Sequence, residues 1–251
     1  MNKTPFLNIH INILNTSEAL IICSGFLDSN EKHKIYFLNA HCFNVAQKDD
    51  QYLASLNNAG IVLNDGIGVH IASKLLGIKI KENMNGSDFI PKLIKHACSR
   101  GKKVFLLGAG VGVAERAKKN IERKLGDYCI SGVNHGYIFD ENENNEVLDR
   151  INASGAELLV VGMGVPLQEK WIESNLNLLQ NVKIAVAGGA IIDFLAGKVK
   201  RASPLVQKLG IEWLFRFIQE PNRLFHRYFI GNIVFFLYVL RLRRRLKPGR
   251  N

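Results

Sequence analysis

Short apolar runs alternate along this chain with longer segments of helical period, and few folds accommodate that order. Ile35–Leu38, Gly60–Leu63, Lys103–Leu107, Cys129–Val133, Glu157–Val161 and Lys183–Ala187 read as strands. Their near-continuous apolar character suits strands buried on both faces rather than on one. Between them, Val45–Leu56, Ser87–Ser99, Val113–Leu125, Glu143–Ala153 and Gln168–Leu179 read as helices, several followed by Gly or Asn stops. Strand and helix in alternation predict an α/β fold, a Rossmann-like, mostly parallel sheet with helices on both faces. With 251 residues and 47% hydrophobic composition, the chain can bury such a core. The body is expected over 1–197, followed by a C-terminal helical appendage, basic and aromatic, over 198–251.

In a parallel sheet, ligands bind beyond the carboxyl ends of the strands. The residues there are Asn39-Ala40-His41, Asn64-Asp65-Gly66, Gly108-Ala109-Gly110, Asn134-His135-Gly136, Gly162-Met163-Gly164 and Gly188-Gly189. Glycine lets a backbone approach a ligand, and the helix N-termini that follow present N–H groups to a diphosphate. Tight turns ask for glycine in any case, and for a single turn that is the stronger reading. Five such turns along one rim favour a phosphorylated or sugar ligand.

Charge is distributed unevenly. Twelve of the 33 Lys/Arg but only two of the 22 acidic residues lie between Lys200 and Asn251, so this segment holds +10 of the net +11. A near-neutral body thus carries a tail that seeks phosphate, on lipid or on nucleic acid. Phe229–Leu240, an apolar run preceding Arg241-Leu242-Arg243-Arg244-Arg245, falls short of the roughly 20 residues that span a bilayer. Interleaved aromatics predict interfacial attachment to an anionic membrane surface, with no nucleic-acid partner. The four cysteines form no CxxC pair or metal-ligand spacing, and the N-terminus has no continuous apolar stretch, so a reduced, cytosolic setting without export is expected.

Several blocks recur in a recognisable order: Asn64-Asp65-Gly66-Ile67-Gly68-Val69, Gly86-Ser87-Asp88-Phe89, Phe105-Leu106-Leu107-Gly108 and Gly136-Tyr137. Gly162-Met163-Gly164-Val165-Pro166-Leu167-Gln168-Glu169-Lys170-Trp171 comes next, then Gly188-Gly189, Asp193, Arg201-Ala202, Glu212-Trp213 and Glu220-Pro221-Asn222-Arg223. Over roughly Tyr36 to Leu240 the chain resembles the WecG/TagA/CpsF family of bacterial glycosyltransferases. The resemblance implies an inverting enzyme at the cytoplasmic face of the cell membrane. It would move an N-acetylmannosamine-type or related sugar from a UDP-sugar donor to a polyprenyl-diphosphate-linked acceptor, for a cell-surface polysaccharide or teichoic acid. A homo-oligomer is compatible with it.

On residue type alone, Asp65 reads as the N-cap of a helix starting near Gly66. The resemblance makes it the base that takes the acceptor hydroxyl's proton. Candidate substrate contacts are Asn39, Gly66, Gly108, Gly110, Gly136, Tyr137, Gly164, Gln168, Gly189, Asp193 and Arg201. Gln168 is read as binding donor hydroxyls or the acceptor sugar. Glu169 stands open between a substrate contact and an acid placed at a helix start for the dipole. Asp193 stands between a nucleotide contact and the same helix-start charge. Arg216, Arg223 and Arg227, spaced seven and four apart, are expected to share a helical face towards the acceptor's phosphates and the membrane. Two positions depart from the family pattern: Asn83 stands where relatives carry an arginine, and Phe37 where a hydroxyl residue is common. No Asp-x-Asp motif lies at a strand end, so no metal and no other cofactor is expected, and helix N-termini and cations would stabilise the leaving UDP.

Two other readings compete. Gly108-Ala109-Gly110-Val111-Gly112 follows a strand and precedes a helix, as in an NAD(P)-dependent oxidoreductase, but Val113 occupies the third glycine position and Asp127 precedes the next apolar run instead of ending it. A non-enzymatic phosphate-binding protein would use the basic tail alone.

Overall fold

The computed structural model describes residues 2–126, 128–199, 212–219 and 221–246. At its centre is a six-stranded sheet, in which β3 (His33–Leu38), β4 (Ile61–Asn64), β5 (Val104–Gly108), β6 (Ile130–Asn134), β7 (Leu158–Gly162) and β8 (Ile184–Ala187) run parallel in the order β4-β3-β8-β7-β5-β6. The α/β expectation therefore holds. Four of the strands begin and end one residue later than the apolar pattern suggests, because the ladder continues onto a polar or glycine residue: Leu38 pairs with Asn64, Leu107 with Asn134 and Gly108 with Gly162. Those residues are the ones that face the strand-end rim.

Side chains alternate across the sheet as the two-residue period requires. Ile35, Ile61, Leu106, Val160 and Val186 point into one core layer, and Tyr36, Val62, Leu107, Val161 and Ala187 into the other. The first layer is closed by α1 (Thr16–Asp28), α5 (Gly86–Cys98), α6 (Val113–Leu125) and α9 (Ile191–Leu195). The second is closed by α2 (Ala40–Ala46), α3 (Asp50–Asn57), α4 (Gly66–Leu75), α7 (Glu141–Ser154) and α8 (Leu167–Asn175). An antiparallel hairpin of β1 (Thr4–Phe6) and β2 (Ile9–Ile11) adds Phe6, Ile9 and Ile11 to that layer. The hairpin and α1 have no counterpart in the sequence reading. Two three-residue strands give too short an alternation to read, and their turn places Leu7, not glycine, at φ 59°.

Two further expectations are corrected. Val45–Leu56 is not one helix: α2 stops at Ala46, and Asp49 restarts the chain by accepting from the Tyr52 N–H at 3.0 Å, while Lys170 holds its other oxygen at 2.7 Å. The cysteines are not all unpaired either. Cys98 and Cys129, 31 residues apart, are joined by a disulfide with Cα atoms 5.4 Å apart, because α5 ends beside the start of β6; Cys23 and Cys42 are buried thiols.

The described part of the tail comprises α10 (Glu212–Gln219), α11 (Pro221–Phe225), a π-helical turn over His226–Ile230 and α12 (Gly231–Leu246). Arg216 lies on α10, Arg223 on α11 and Arg227 in the π turn, so the seven-and-four spacing does not run along one regular α-helix. Nor is the apolar run wholly an exposed surface segment. Phe235 and Val239 are fully buried, Phe235 meets Phe43 edge-on at 5.3 Å, and Asn44 Nδ2 donates to the Gly231 carbonyl at 2.7 Å. No helix among the described residues is long and apolar enough to cross a membrane.

Removing a buried phenylalanine ring typically costs about 3–5 kcal/mol. Phe235→Ala is therefore expected to lower the urea midpoint by an amount equivalent to about 3 kcal/mol, and to open the 231–246 segment to limited proteolysis. A variant with the wild-type midpoint and cleavage pattern would show that α12 does not depend on this contact.

Candidate active site

Because every strand of the sheet points the same way, the turns after β3, β4, β5, β6, β7 and β8 gather at one edge, around a cleft of about 1030 Å³. Asn39, Asp65 and Gly66 wall one end, and Gly110, Gly136 and Tyr137 the other. Gly164, Gln168, Glu169, Gly189 and Asp193 line the stretch formed by the two central strands β7 and β8. The sequence thus identified residues that folding brings together.

Asp65 occupies the N-cap position of α4, yet its side chain makes no capping bond. The Gly66 N–H donates instead to Asn83 Oδ1 at 2.9 Å and to Asn85 Oδ1 at 3.2 Å. The loop that supplies these asparagines is itself pinned. Asn64 Nδ2 donates to the Glu82 carbonyl, the Met84 N–H donates to the Asn64 carbonyl, and Glu82 takes both the N–H and the hydroxyl of Thr16 at 2.7 Å. Asn39 caps α2 through Oδ1, on the Cys42 N–H, and donates from Nδ2 to Asp65 Oδ2 at 3.2 Å. A carboxylate at the head of a helix, oriented by a neighbouring amide and making no capping bond, can accept a proton from a hydroxyl in the cleft.

The two departures acquire local explanations. Asn83 serves as a neutral cap of α4, and Phe37 is nearly buried against Phe89, ring centres 6.3 Å apart, with the side-chain-free face of Gly86 against its ring.

Between β7 and β8 the sequence reading is reordered. Gln168 is only 2% exposed, and its amide oxygen accepts from two strand-end turns, from the Gly189 N–H at 2.8 Å and the Gly164 N–H at 3.2 Å. Both glycines sit in the left-handed region, at φ 58° and 87°, which a side chain would oppose. The amide nitrogen donates to Glu169 Oε1 at 2.9 Å. Glu169 is 1% exposed, its Oε2 has no partner among the described residues, and burial pushes its carboxyl up to about 7.

Other candidates resolve differently. Gly108 is required by packing: at φ 146°, a Cβ there would overlap the Gly162 backbone. At Gly136 a Cβ would lie 2.9 Å from the Gly108 Cα. The glycines of the GAGVG run thus serve the close approach of β5 to β7 and the turn into α6, with Gly112 at φ 76°. Asp193 is paired with Lys198 at 3.2 Å, and both line the cleft. Arg201 and Asp127 lie outside the described residues. The tail contributes more to the site than its sequence shows, since Trp213, Leu224, His226, Asn232 and Phe236 all line the cleft. The signal for this is faint: Phe235 and Phe236 are neighbours in one apolar run, but one enters the core and the other the cleft wall.

A parallel α/β body whose strand-end cleft carries an uncapped aspartate and glycine turns defines a ligand-transforming protein of the Rossmann-like class. The chain belongs to the glycosyl transferase WecG/TagA/CpsF family, whose model matches residues 4–249, and it is accordingly a glycosyltransferase. It is 32% identical over 198 residues to the N-acetylglucosaminyldiphosphoundecaprenol N-acetyl-beta-D-mannosaminyltransferase of Bacillus spizizenii, covering 79% of this chain and 76% of that protein. A protein of the same name from Staphylococcus aureus strain MW2 is 30% identical over 213 residues, 84% of this chain and 81% of the relative. The oxidoreductase and the non-enzymatic readings are thereby set aside.

The raised carboxyl of Glu169 has a consequence for stability. From its ordinary value of 4.5 to about 7, the folded chain retains a proton that the unfolded chain has released, so the contribution of this group to stability is fully present below 4.5 and is lost as pH rises through this interval. Glu169→Gln removes that contribution. Between pH 4.5 and 7 the variant is expected to lose on the order of 3 kcal/mol less stability than wild type in urea denaturation. Parallel curves would show that Glu169 ionises freely in the fold.

Proposed function

We propose that this glycosyltransferase moves a sugar of the N-acetylmannosamine type from a UDP-sugar to a sugar carried on undecaprenyl diphosphate, with inversion at the anomeric carbon. The observation that carries the reading is Asp65, relieved of capping by Asn83 and Asn85 and held from the side by Asn39. In the transfer the acceptor hydroxyl oxygen forms the new bond to the anomeric carbon from the face opposite the nucleotide. Asp65 takes the hydroxyl proton, and the bond to the diphosphate breaks with its electron pair leaving on UDP. Single displacement inverts the centre. The names of the relatives supply the acceptor class and the sugar type. The donor nucleotide follows from the family resemblance. Lys198 and the tail arginines Arg201, Arg216, Arg223 and Arg227 are the groups we assign to the charge of the leaving diphosphate, without a metal.

The same reading places the enzyme peripherally at the cytoplasmic face of the membrane. On α12, Ile233 (63% exposed), Leu237 (61%) and Leu240 recur at helical spacing on the side away from Phe235 and Val239, close to the exposed Phe229 and Ile230. Exposed Arg241 and Arg244 follow. An apolar stripe ending in arginines fits an anionic lipid surface better than a duplex, where apolar side chains would find no partner.

Asp65→Asn keeps the shape and cannot accept the proton. Turnover with UDP-sugar and a lipid-diphosphate-sugar acceptor is expected to fall by a factor of about 10²–10⁴, with UDP binding retained. Near-wild-type turnover would refute Asp65 as the base.

For the membrane, the paired variant Ile233→Asp/Leu237→Asp leaves the buried face of α12 untouched. It is expected to move most of the protein from anionic liposomes to the supernatant in co-sedimentation. Undiminished liposome binding, or a changed sedimentation coefficient in the absence of lipid, would assign the stripe elsewhere, in the latter case to self-association.

A further inference from the structure

Gln168, read from the sequence as a sugar contact, is engaged by the protein itself, whereas Glu169, left open there, is not fully engaged. The Gln168 amide is fully oriented by the protein: its oxygen accepts from Gly164 and Gly189, and its nitrogen faces Glu169 Oε1. Turning the amide over would set its NH₂ against two backbone donors, so it has one stable orientation. Glu169, the next residue, is held by that amide through one oxygen only. Its Oε2 is buried without a partner among the described residues, although the residue contributes to the cleft wall. A buried polar atom left unpartnered is costly, and native proteins keep few of them without a use.

Among the described residues Oε2 has no ion pair. Lys170, next in the chain, is bound to Asp49 at the head of α3, and Glu173, one turn on, is taken by Lys34 and by the Tyr36 hydroxyl of β3. Tyr36 and Tyr52, from β3 and α3, are the titratable groups that feel the Glu169 charge, and the Tyr52 hydroxyl is itself buried beside Cys42. Glu169 lines the central stretch of the cleft between β7 and β8, and β8 pairs with β3, after which Asn39 holds Asp65.

We propose that Glu169 Oε2 is a binding atom for the transferred sugar, hydrogen-bonding to one of its hydroxyl or acetamido groups, and that Gln168 is the positioning residue that holds it there. This rests on the glycosyl-transfer reading and adds a sugar subsite to it. With its carboxyl raised to about 7, Glu169 is largely protonated below neutrality and able to donate, and ionised above it, where it only accepts. The contact with the sugar therefore changes character, from donated to accepted, as the pH rises through 7. The uridine diphosphate portion makes no use of this atom.

The test compares UDP with the UDP-sugar on the intact chain. In calorimetry, Glu169→Ala is expected to bind UDP as wild type does but to weaken UDP-sugar binding about tenfold, and the KM for the donor should rise in step while kcat changes less. Glu169→Gln, which keeps a donor and an acceptor at that place, should lose only about threefold and abolish the wild-type change in donor KM between pH 6 and 8. If Glu169→Ala fails to fold, the Gln variant's pH profile decides alone. Equal weakening towards UDP and UDP-sugar, a defect confined to the acceptor's KM, or a pH profile unchanged in Glu169→Gln would each overturn the assignment. Failure of wild type to bind any UDP-sugar would instead refute the donor reading on which it rests.

Discussion

At the carboxyl edge of a parallel sheet every turn leaves backbone N–H groups that need acceptors, and the choice of acceptor decides what chemistry the edge retains. Here neutral carboxamides take that task. Asn39 caps α2, Asn83 and Asn85 receive the Gly66 N–H at the head of α4, and Gln168 receives the N–H groups of Gly164 and Gly189. Away from the cleft the same need is met by Asp49 for α3, Asp140 for α7 and Asn15 for α1. Capping by amides leaves the two cleft carboxyls, Asp65 and Glu169, outside the capping bonds. Each is instead oriented from the side by an amide N–H, Asn39 for one and Gln168 for the other. Asp65 alone holds the N-cap place of a helix, and Glu169, in the first turn of α8, has burial that raises its pKa.

Much of the body was legible because burial on both faces writes itself as unbroken apolar runs. The strands were found to within one or two residues, and the error had a direction: pattern reading stops where apolar residues stop, whereas the ladder runs on into Asn64, Gly108, Asn134 and Gly162. What escaped was short or relational. β1 and β2 are three residues each, and the break between α2 and α3 rests on Asp49 meeting Tyr52 and Lys170. Cys98 and Cys129 become neighbours only through the order in which α5, β5 and β6 pack. None of these leaves a periodic trace.

For the site, strand-end position was a sound guide to which residues meet, and a poorer one to what each does. Gly108 and Gly136 share a rim with Gly164 and Gly189, but the former pair is explained by backbones crowding together, Gly108 against Gly162 of β7 and Gly136 against Gly108 of β5. Asp65 was ambiguous between cap and base for a physical reason: both roles ask for a carboxylate at a helix start, and only the Asn83 and Asn85 distances separate them. Glu169 was ambiguous in the same way, and its burial could not be read from a sequence in which the first turn of a helix is normally exposed.

The tail shows most clearly how one apolar run can serve several surfaces. In α12, Phe235 and Val239 enter the core beside Phe43, Phe236 and Asn232 reach the cleft, and Ile233 and Leu237 face outward. A run used on all sides carries no amphipathic period, which is why composition suggested a surface attachment and nothing more. Since a single helix joins the core, the cleft wall and the outward stripe, a lipid surface engaged by Ile233 and Leu237 would fix the distance between the membrane and Asp65. An acceptor that stays in the bilayer by its lipid then needs to present only its sugar to the cleft. Under the proposed reading the near-neutral body and the +10 tail would divide the work accordingly, the tail's charge drawing the enzyme to phosphate while the rim, capped by amides, would leave the acid–base chemistry to Asp65 and the sugar to Glu169.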